Sequence, residues 1–331
     1  MITKYHDTSS IMNMAFDYLQ TEHIGFLLLE KFSMLSFSAA LEPLRMANRL
    51  SGKVLYKWYI YGNNNQSVLA SNGTVFTPTR KMDDIDNLNI LFVVAGTGAV
   101  HAGNEQLFNW LRKLVRKGTN IGATSTGSLL LAQAGILKDR TCTIHWENKA
   151  SFSEQYPYIN VTDELFEIDR NIITCSGGLA GLDMMLHLIN ITHGSELSQD
   201  IADQSIHPTI RSAHYNQRMT VQLRHKIRHP RLLKALELMQ ENIEEILTSK
   251  EISQLIGLST RQLERLFQEQ MQVSPASYYM NLRLQRANYL LRQSTLSILQ
   301  IGIATGFNSN SYFTHCYRNR YGCTPYEERK K

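Results

Sequence analysis

The sequence predicts two domains of different class. The first is a doubly wound, mostly parallel α/β sheet, and the second is an all-α domain with two helix-turn-helix units. Three observations lead there. Short apolar runs alternate with helix-spaced segments from Ile24 to about Asn190, the last third of the chain repeats itself at a spacing of fifty residues, and the excess positive charge lies entirely in that last third.

Length and composition agree with this division. At roughly 150 residues per domain, 331 residues suggest two domains, and 43% hydrophobic with 19% charged residues is globular usage that excludes a disordered chain. The plain apolar run at 90–95 falls far short of the roughly 20 residues a bilayer span needs. The first 22 residues mix acids, bases and polar groups without the apolar core of a signal peptide. Four widely spaced cysteines form no CxxC pair, so a reduced cytoplasmic setting is expected, with no metal site and no cofactor.

In the first two-thirds, candidate strands fall at 24–29, 58–61, 90–94, 120–123 and 172–174, with helical spacing at 37–49, 106–117 and 128–134. Such alternation implies a parallel sheet with helices on both faces, whose ligands bind beyond the carboxyl ends of the strands. Two segments at such ends carry chemistry. Gly96-Thr97-Gly98 follows one strand, where glycines let backbone amides approach a ligand; a plain flexible turn is the alternative. Thr124-Ser125-Thr126-Gly127 follows another and opens a helix, the setting of a nucleophile elbow, although Ala123 makes the match to GxSxG partial. His145, in Thr143-Ile-His-Trp146, is the base candidate for Ser125. This pair keeps a serine hydrolase or amidase open as the alternative function.

Charge separates the last third. Residues 1–224 hold 19 Lys+Arg against 20 Asp+Glu, whereas residues 225–331 hold 15 against 9. A compact basic domain beside a neutral one is the footprint of a polyanion binder, most often nucleic acid. The repeat supplies the reader. Ser259 to Phe267 followed by Ser274-Pro275 matches Ser309 to Tyr317 followed by Thr324-Pro325, and Ile252 and Gly257 match Ile301 and Gly306 one residue out of that register. Thr248 with Glu251, Ser259 with Gln262 and Ser297 with Gln300 are capping boxes. Ile252, Leu255 and Ile256 form the apolar face of the first helix, Gly257 makes the turn, and Leu263, Leu266 and Phe267 point inward from the second helix. Residues 275–293 read as one long connecting helix carrying Arg283, Arg286 and Arg292.

A second helix of such a pair enters a major groove. Its outward residues would be Thr260, Arg261, Gln262, Glu264 and Arg265 in the first copy, and Asn310, Ser311, Thr314, His315 and Arg318 in the second. These are side chains suited to base edges and phosphates.

With its Gly306-Phe307 turn and Ser/Thr-Pro ends, the segment 230–330 resembles the AraC/XylS family of bacterial transcription regulators. Residues 22–195 resemble the PfpI-like branch of the class I glutamine amidotransferase-like superfamily, in which a cysteine occupies the elbow with an acid and a histidine nearby. Mapped by that resemblance, the cysteine position holds Ser125, the histidine position His145, and the acid falls near Ser36, which cannot depress a pKa. The elbow therefore reads as vestigial, with no catalytic residue. The two parts together resemble the GlxA-type group of regulators. The segments 40–48, 143–148, 165–170 and 175–178 are similar to a subgroup controlling catabolism of carnitine, glycine betaine or arginine.

The resemblance implies a ligand-sensing and dimerising domain at 22–205 and a DNA-binding domain at 230–330, and the linker is placed at 206–229, where Pro208 and Pro230 stand among several basic residues. Expected partners are double-stranded promoter DNA, a small nitrogenous inducer, RNA polymerase and a second copy of the chain, with activation of a catabolic operon as the outcome. Trp146 would offer an aromatic wall to a quaternary amine and Glu42 a counter-charge, while Gly96, Thr97, Ser125, Thr126 and His145 would clamp its polar end.

Overall fold

The computed structural model describes residues 20–62, 67–82, 87–217 and 229–330. Contacts divide the chain into two units between Gln217 and Arg218. The first unit is built on a seven-stranded sheet. Its strands are β1 (Glu22–Leu28), β2 (Tyr56–Gly62), β3 (Arg80–Lys81), β4 (Ile90–Val94), β5 (Asn120–Thr124), β6 (Phe166–Asp169) and β7 (Ile172–Cys175), in the order β6-β7-β5-β4-β1-β2-β3. Every neighbouring pair is parallel except the β6–β7 hairpin. β4 (Ile-Leu-Phe-Val-Val) is buried along its whole length, as a central parallel strand covered on both faces must be.

Alternation along β1 separates two cores. Phe26 and Leu28 face one side, packing with α1 (Met34–Ser51), α5 (Ala180–His193) and α6 (Ser195–Gln204). Leu27 and Leu29 face the other, with α2 (Glu105–Arg116), α3 (Gly127–Gln133) and α4 (Lys149–Gln155). Helices on both faces make this the doubly wound sheet that the sequence pattern implied. No helix among the described residues is long and apolar enough to cross a membrane.

The second unit is all helical: α7 (Pro230–Glu241), α8 (Ser249–Leu255), α9 (Thr260–Met271), α10 (Pro275–Gln293), α11 (Ile298–Ala304), α12 (Asn310–Tyr321) and α13 (Pro325–Arg329). Its starts are set locally. Thr248, Ser259, Ser297 and Thr324 each form a complete capping box with the residue three places on, and Pro275 and Pro325 occupy first helical positions, where no amide donor is needed. Two small cores result. Ile252, Leu263, Phe267 and Tyr279 belong to one, and Leu284, Leu291, Ile301, Phe313 and Tyr317 to the other. The connector α10 feeds both, its first half entering one core and its second half the other. One expectation is corrected here. Leu255 is 62% exposed, because α8 is only two turns long and Ile252 and Ile256 fill its inward stripe.

The two turn glycines are not equivalent. Gly257 has φ +68° and open space around it, whereas Gly306 has φ +75° and a side chain there would meet the Ile243 carbonyl oxygen at 2.7 Å. Gly257→Ala should cost about 1–2 kcal/mol for the left-handed backbone alone. Gly306→Ala should add about 1–3 kcal/mol of steric strain to that. Urea denaturation of the two variants would separate these figures; equal losses would show that the Ile243 loop does not press on the second turn.

Candidate functional site

The elbow forms where β5 ends. Ser125 takes a positive φ of +60°, which a non-glycine residue adopts only when its surroundings enforce it. Its amide donates to the Cys175 carbonyl (2.9 Å) at the end of β7, and its own carbonyl accepts the His145 amide (3.2 Å). The chain then turns directly into α3. The Thr126 and Gly127 amides find no acceptor among the described residues, so two donors remain unspent on the residues that follow Ser125.

Three segments close around this point. A side chain on Gly177, at φ +92°, would lie 2.7 Å from the Ser125 Cβ and 2.9 Å from the Ser36 Oγ, so only glycine fits between them. Ser36, fully buried in the first turn of α1, accepts the Gly178 amide (2.8 Å) and donates to the Ser33 Oγ (3.0 Å). The position expected to hold an acid thus carries a hydroxyl already spent on holding the Gly177-Gly178 turn. Nearby Cys175 is completely buried, and burial pushes its thiol up to about 12, which keeps it protonated and inert.

His145 stands beside the elbow through its backbone, and its ring makes no hydrogen bond to Ser125. Nδ1 lies 3.9 Å from a Glu147 carboxylate oxygen, and the ring leans on Trp146 with centroids 5.5 Å apart. Burial holds its pKa below the ordinary histidine value, and Glu147 opposes that shift. Trp146 is half-buried.

Several expected contributors do other work. Gly96 is required because the backbone of the β1–α1 loop passes over it, with the Lys31 carbonyl oxygen 2.2 Å from where a Cβ would sit. The Thr126 hydroxyl donates to the Gly96 carbonyl at 2.7 Å, tying the two loops together, so it is not free for a ligand. Thr97 is exposed in the turn that follows. Glu42 lies two turns along α1 from Ser36 and forms an exposed ion pair with Arg45 at 2.7 Å, where solvent makes a counter-charge weak. Serine-glycine contacts near Ser36 and Gly177 were invisible in sequence because 141 positions separate the residues; the Gly177-Gly178 pair at a strand end was the only signal.

The second unit presents two helices with polar outer faces. On α9, Arg261, Gln262, Glu264 and Arg265 are exposed and Thr260 is half-buried against Ser253, its hydroxyl 3.4 Å from the Ser253 Oγ. Gln262 is partly committed, since its Oε1 accepts from the Ser259 amide (2.8 Å) and hydroxyl (3.0 Å), which leaves its amide nitrogen to face outward. Arg265 lies 3.6 Å from Glu269. On α12, Asn310, Ser311, His315 and Arg318 are exposed, Thr314 is half-buried, and His315 pairs with Asn319 at 3.0 Å. The faces differ in charge: α9 mixes both signs, whereas α12 carries Arg318 and Arg320 and no acid.

The interior of this unit fixes the two helices to one connector. Arg283, 7% exposed on α10, donates from Nε to the Thr305 carbonyl (2.8 Å) and from Nη2 to the Gly306 carbonyl (2.8 Å) and lies 4.1 Å over the Phe307 ring. Arg292 reaches the buried Glu328 carboxylate at 2.5 Å. Arg283 is therefore a buried brace, while Arg292, itself exposed, ties the connector to α13 through Glu328.

Residues 24–191 match the DJ-1/PfpI family, and residues 252–331 match a helix-turn-helix domain family. The chain is 40% identical over 311 residues to the HTH-type transcriptional regulator GbdR of Pseudomonas aeruginosa, covering 93% of this chain and 84% of that one. It is 41% identical over 309 residues to the HTH-type transcriptional regulator CdhR of the same species, covering 93% and 92%. A crystal structure of an AraC family transcriptional regulator from Pseudomonas putida superimposes with a TM-score of 0.52 at 27% identity, spanning 56% of this chain and 99% of that one.

Proposed function

We propose a specific role for this chain, which belongs to the AraC-type helix-turn-helix transcriptional regulators that carry a DJ-1/PfpI domain. It is a DNA-binding transcriptional regulator. In our reading it activates genes for catabolism of a small nitrogenous metabolite, a quaternary amine or a basic amino acid, acting as a homodimer and with RNA polymerase. The first unit binds that metabolite at the elbow, and α9 and α12 read successive major grooves.

The observation that carries the sensor reading is the state of the elbow itself. Ser125 keeps the strained φ of +60° and two unspent amides, yet its hydroxyl has neither a bonded imidazole nor a carboxylate behind it. In an enzyme such donors stabilise an oxyanion. Here they suit a metabolite carboxylate, with the His145 and Trp146 rings lining the cationic end. Glu42, in its surface pair with Arg45, has no part in this arrangement.

Thermal shift of the full chain against glycine betaine, L-carnitine and L-arginine tests binding, because a ligand selective for the native state raises the melting temperature. The ligand that shifts it should be recovered chemically intact after long incubation. Ser125→Ala should weaken its binding by about 0.5–1.5 kcal/mol, the worth of one hydrogen bond. Ligand consumption abolished by the same substitution would replace the sensor with a hydrolase.

A further inference from the structure

Residues 206–217 follow α6 without forming a helix or strand, yet they are pinned to the first unit at three places. At the near end, Asp183 on α5, fully buried, accepts from His207 Nε2 (3.0 Å) and from the Arg211 amide (2.7 Å), Nε (3.0 Å) and Nη2 (2.6 Å). In the middle, the Ala213 carbonyl accepts the Leu165 amide (2.9 Å). At the far end, Gln217 Nε2 lies within 2.9–3.0 Å of the Thr143 hydroxyl and of the Ile144 and Glu164 carbonyls. Two of those three acceptors are carbonyl oxygens, which fixes the amide orientation, because only the nitrogen can donate to them.

The placement of that last anchor matters. Ile144 is the residue before His145, and Gln217 is the last residue of the first unit. One side chain thus joins the loop that carries His145 and Trp146 to the point where the chain leaves for the helix-turn-helix unit. We propose that residues 207–217 are a strap that reports the state of this loop to the exit of the first unit, with Gln217 as its positioning residue. This rests on the reading of the His145–Trp146 loop as the ligand-binding loop. Its energetic logic is a latch of one or two hydrogen bonds at the exit, weak enough for a ligand to bias, behind an Asp183 anchor too strong to release.

The sequence provides a readout that needs no inducer. Arg218 follows Gln217, and trypsin must draw the residues before its target arginine into an extended conformation, which requires Gln217 to let go. In the full chain, Gln217→Ala should speed cleavage at Arg218 about three- to tenfold, tracking the open population. Gln217→Glu should behave alike, since a carboxylate cannot donate to two carbonyls. Trp146→Ala should speed cleavage when Gln217 is present and add nothing in the Gln217→Ala background. Cleavage at Arg140, inside the first unit, controls for general unfolding; if it rises in parallel, Thr143→Val removes an acceptor from the opposite side and should reproduce the selective effect. An unchanged rate at Arg218 in Gln217→Ala, or an equal effect of Trp146→Ala with and without Gln217, overturns the strap. A thermal-shift panel with no response counts instead against the sensor reading, and the cleavage result stands apart from it.

Discussion

Replacing Asp183 with alanine should destabilise the first unit by about 3–5 kcal/mol, the range for breaking a buried ion pair by removing one partner. The carboxylate has no exposure and holds four donors, three of them from Arg211. Alanine would leave the half-buried guanidinium without its counter-charge and open a hole in the first turn of α5. Against a total stability of about 5–15 kcal/mol for a typical domain, this is a large fraction. Asp183→Asn keeps two polar atoms but not the charge and should fall between the parent and alanine. Urea denaturation followed by far-ultraviolet circular dichroism would measure both. A loss under about 1 kcal/mol would place this pair with weak surface bridges and would remove the fixed end of the strap.

In the second unit the largest effect should come from Arg283→Ala. Two hydrogen bonds to a charged donor are lost, each worth about 1.5–3 kcal/mol, and the Thr305 and Gly306 carbonyls lose their partner inside the turn. The expected destabilisation is about 3 kcal/mol or more, with the second helix pair unfolding before the first. Arg283→Lys should rescue little, since an ammonium cannot bond two carbonyls in a fork and also lie flat on the Phe307 ring. Hydrogen exchange resolved by segment would show the loss concentrated at α11 and α12; uniform loss across the unit would mean that the connector does not brace the second turn selectively.

What the sequence revealed was what local chemistry decides. The span of β4 and of α10 was readable to the residue, because an all-apolar strand between turns and a Ser-Pro start are signals carried by the residues themselves. The capping boxes were readable for the same reason. β2 extends from Tyr56 to Gly62, beyond the expected 58–61, since its outer residues gain pairing with β1 that no local pattern encodes. β7 was expected at 172–174, but its hairpin partner β6, with Arg170 in a left-handed turn at φ +57° between them, went unseen, as β6 is only four residues long.

The site divides along the same line. Ser125 and the His145 loop were recognisable from strand-end position, and the fold brings their backbones into contact. Long-range partners were not: Ser36 with Gly178, Asp183 with Arg211 and Gln217 with Thr143 are joined only by the folded chain. Residues 206–217 read as linker on Pro208 and the basic residues around it, although they pack on the first unit; positions 218–228 of that expected linker lie outside the described residues. The brace made by Arg283 was not legible either, because sequence does not distinguish a phosphate from two backbone carbonyls as the acceptor.

In our reading one chain contacts DNA with two helices fixed to a single connector. Hydroxyl-radical and methylation footprinting of the full chain, on a site selected from random duplex DNA, distinguishes this from a single reader. Two helix-turn-helix units on one face of the duplex should protect two major-groove patches per monomer, with centres about 34 Å, or about 10 base pairs, apart. Arg261→Ala should weaken only the patch read by α9, and Arg318→Ala only the patch read by α12. A single protected patch per monomer, weakened by one substitution and untouched by the other, would contradict the duplicated reader.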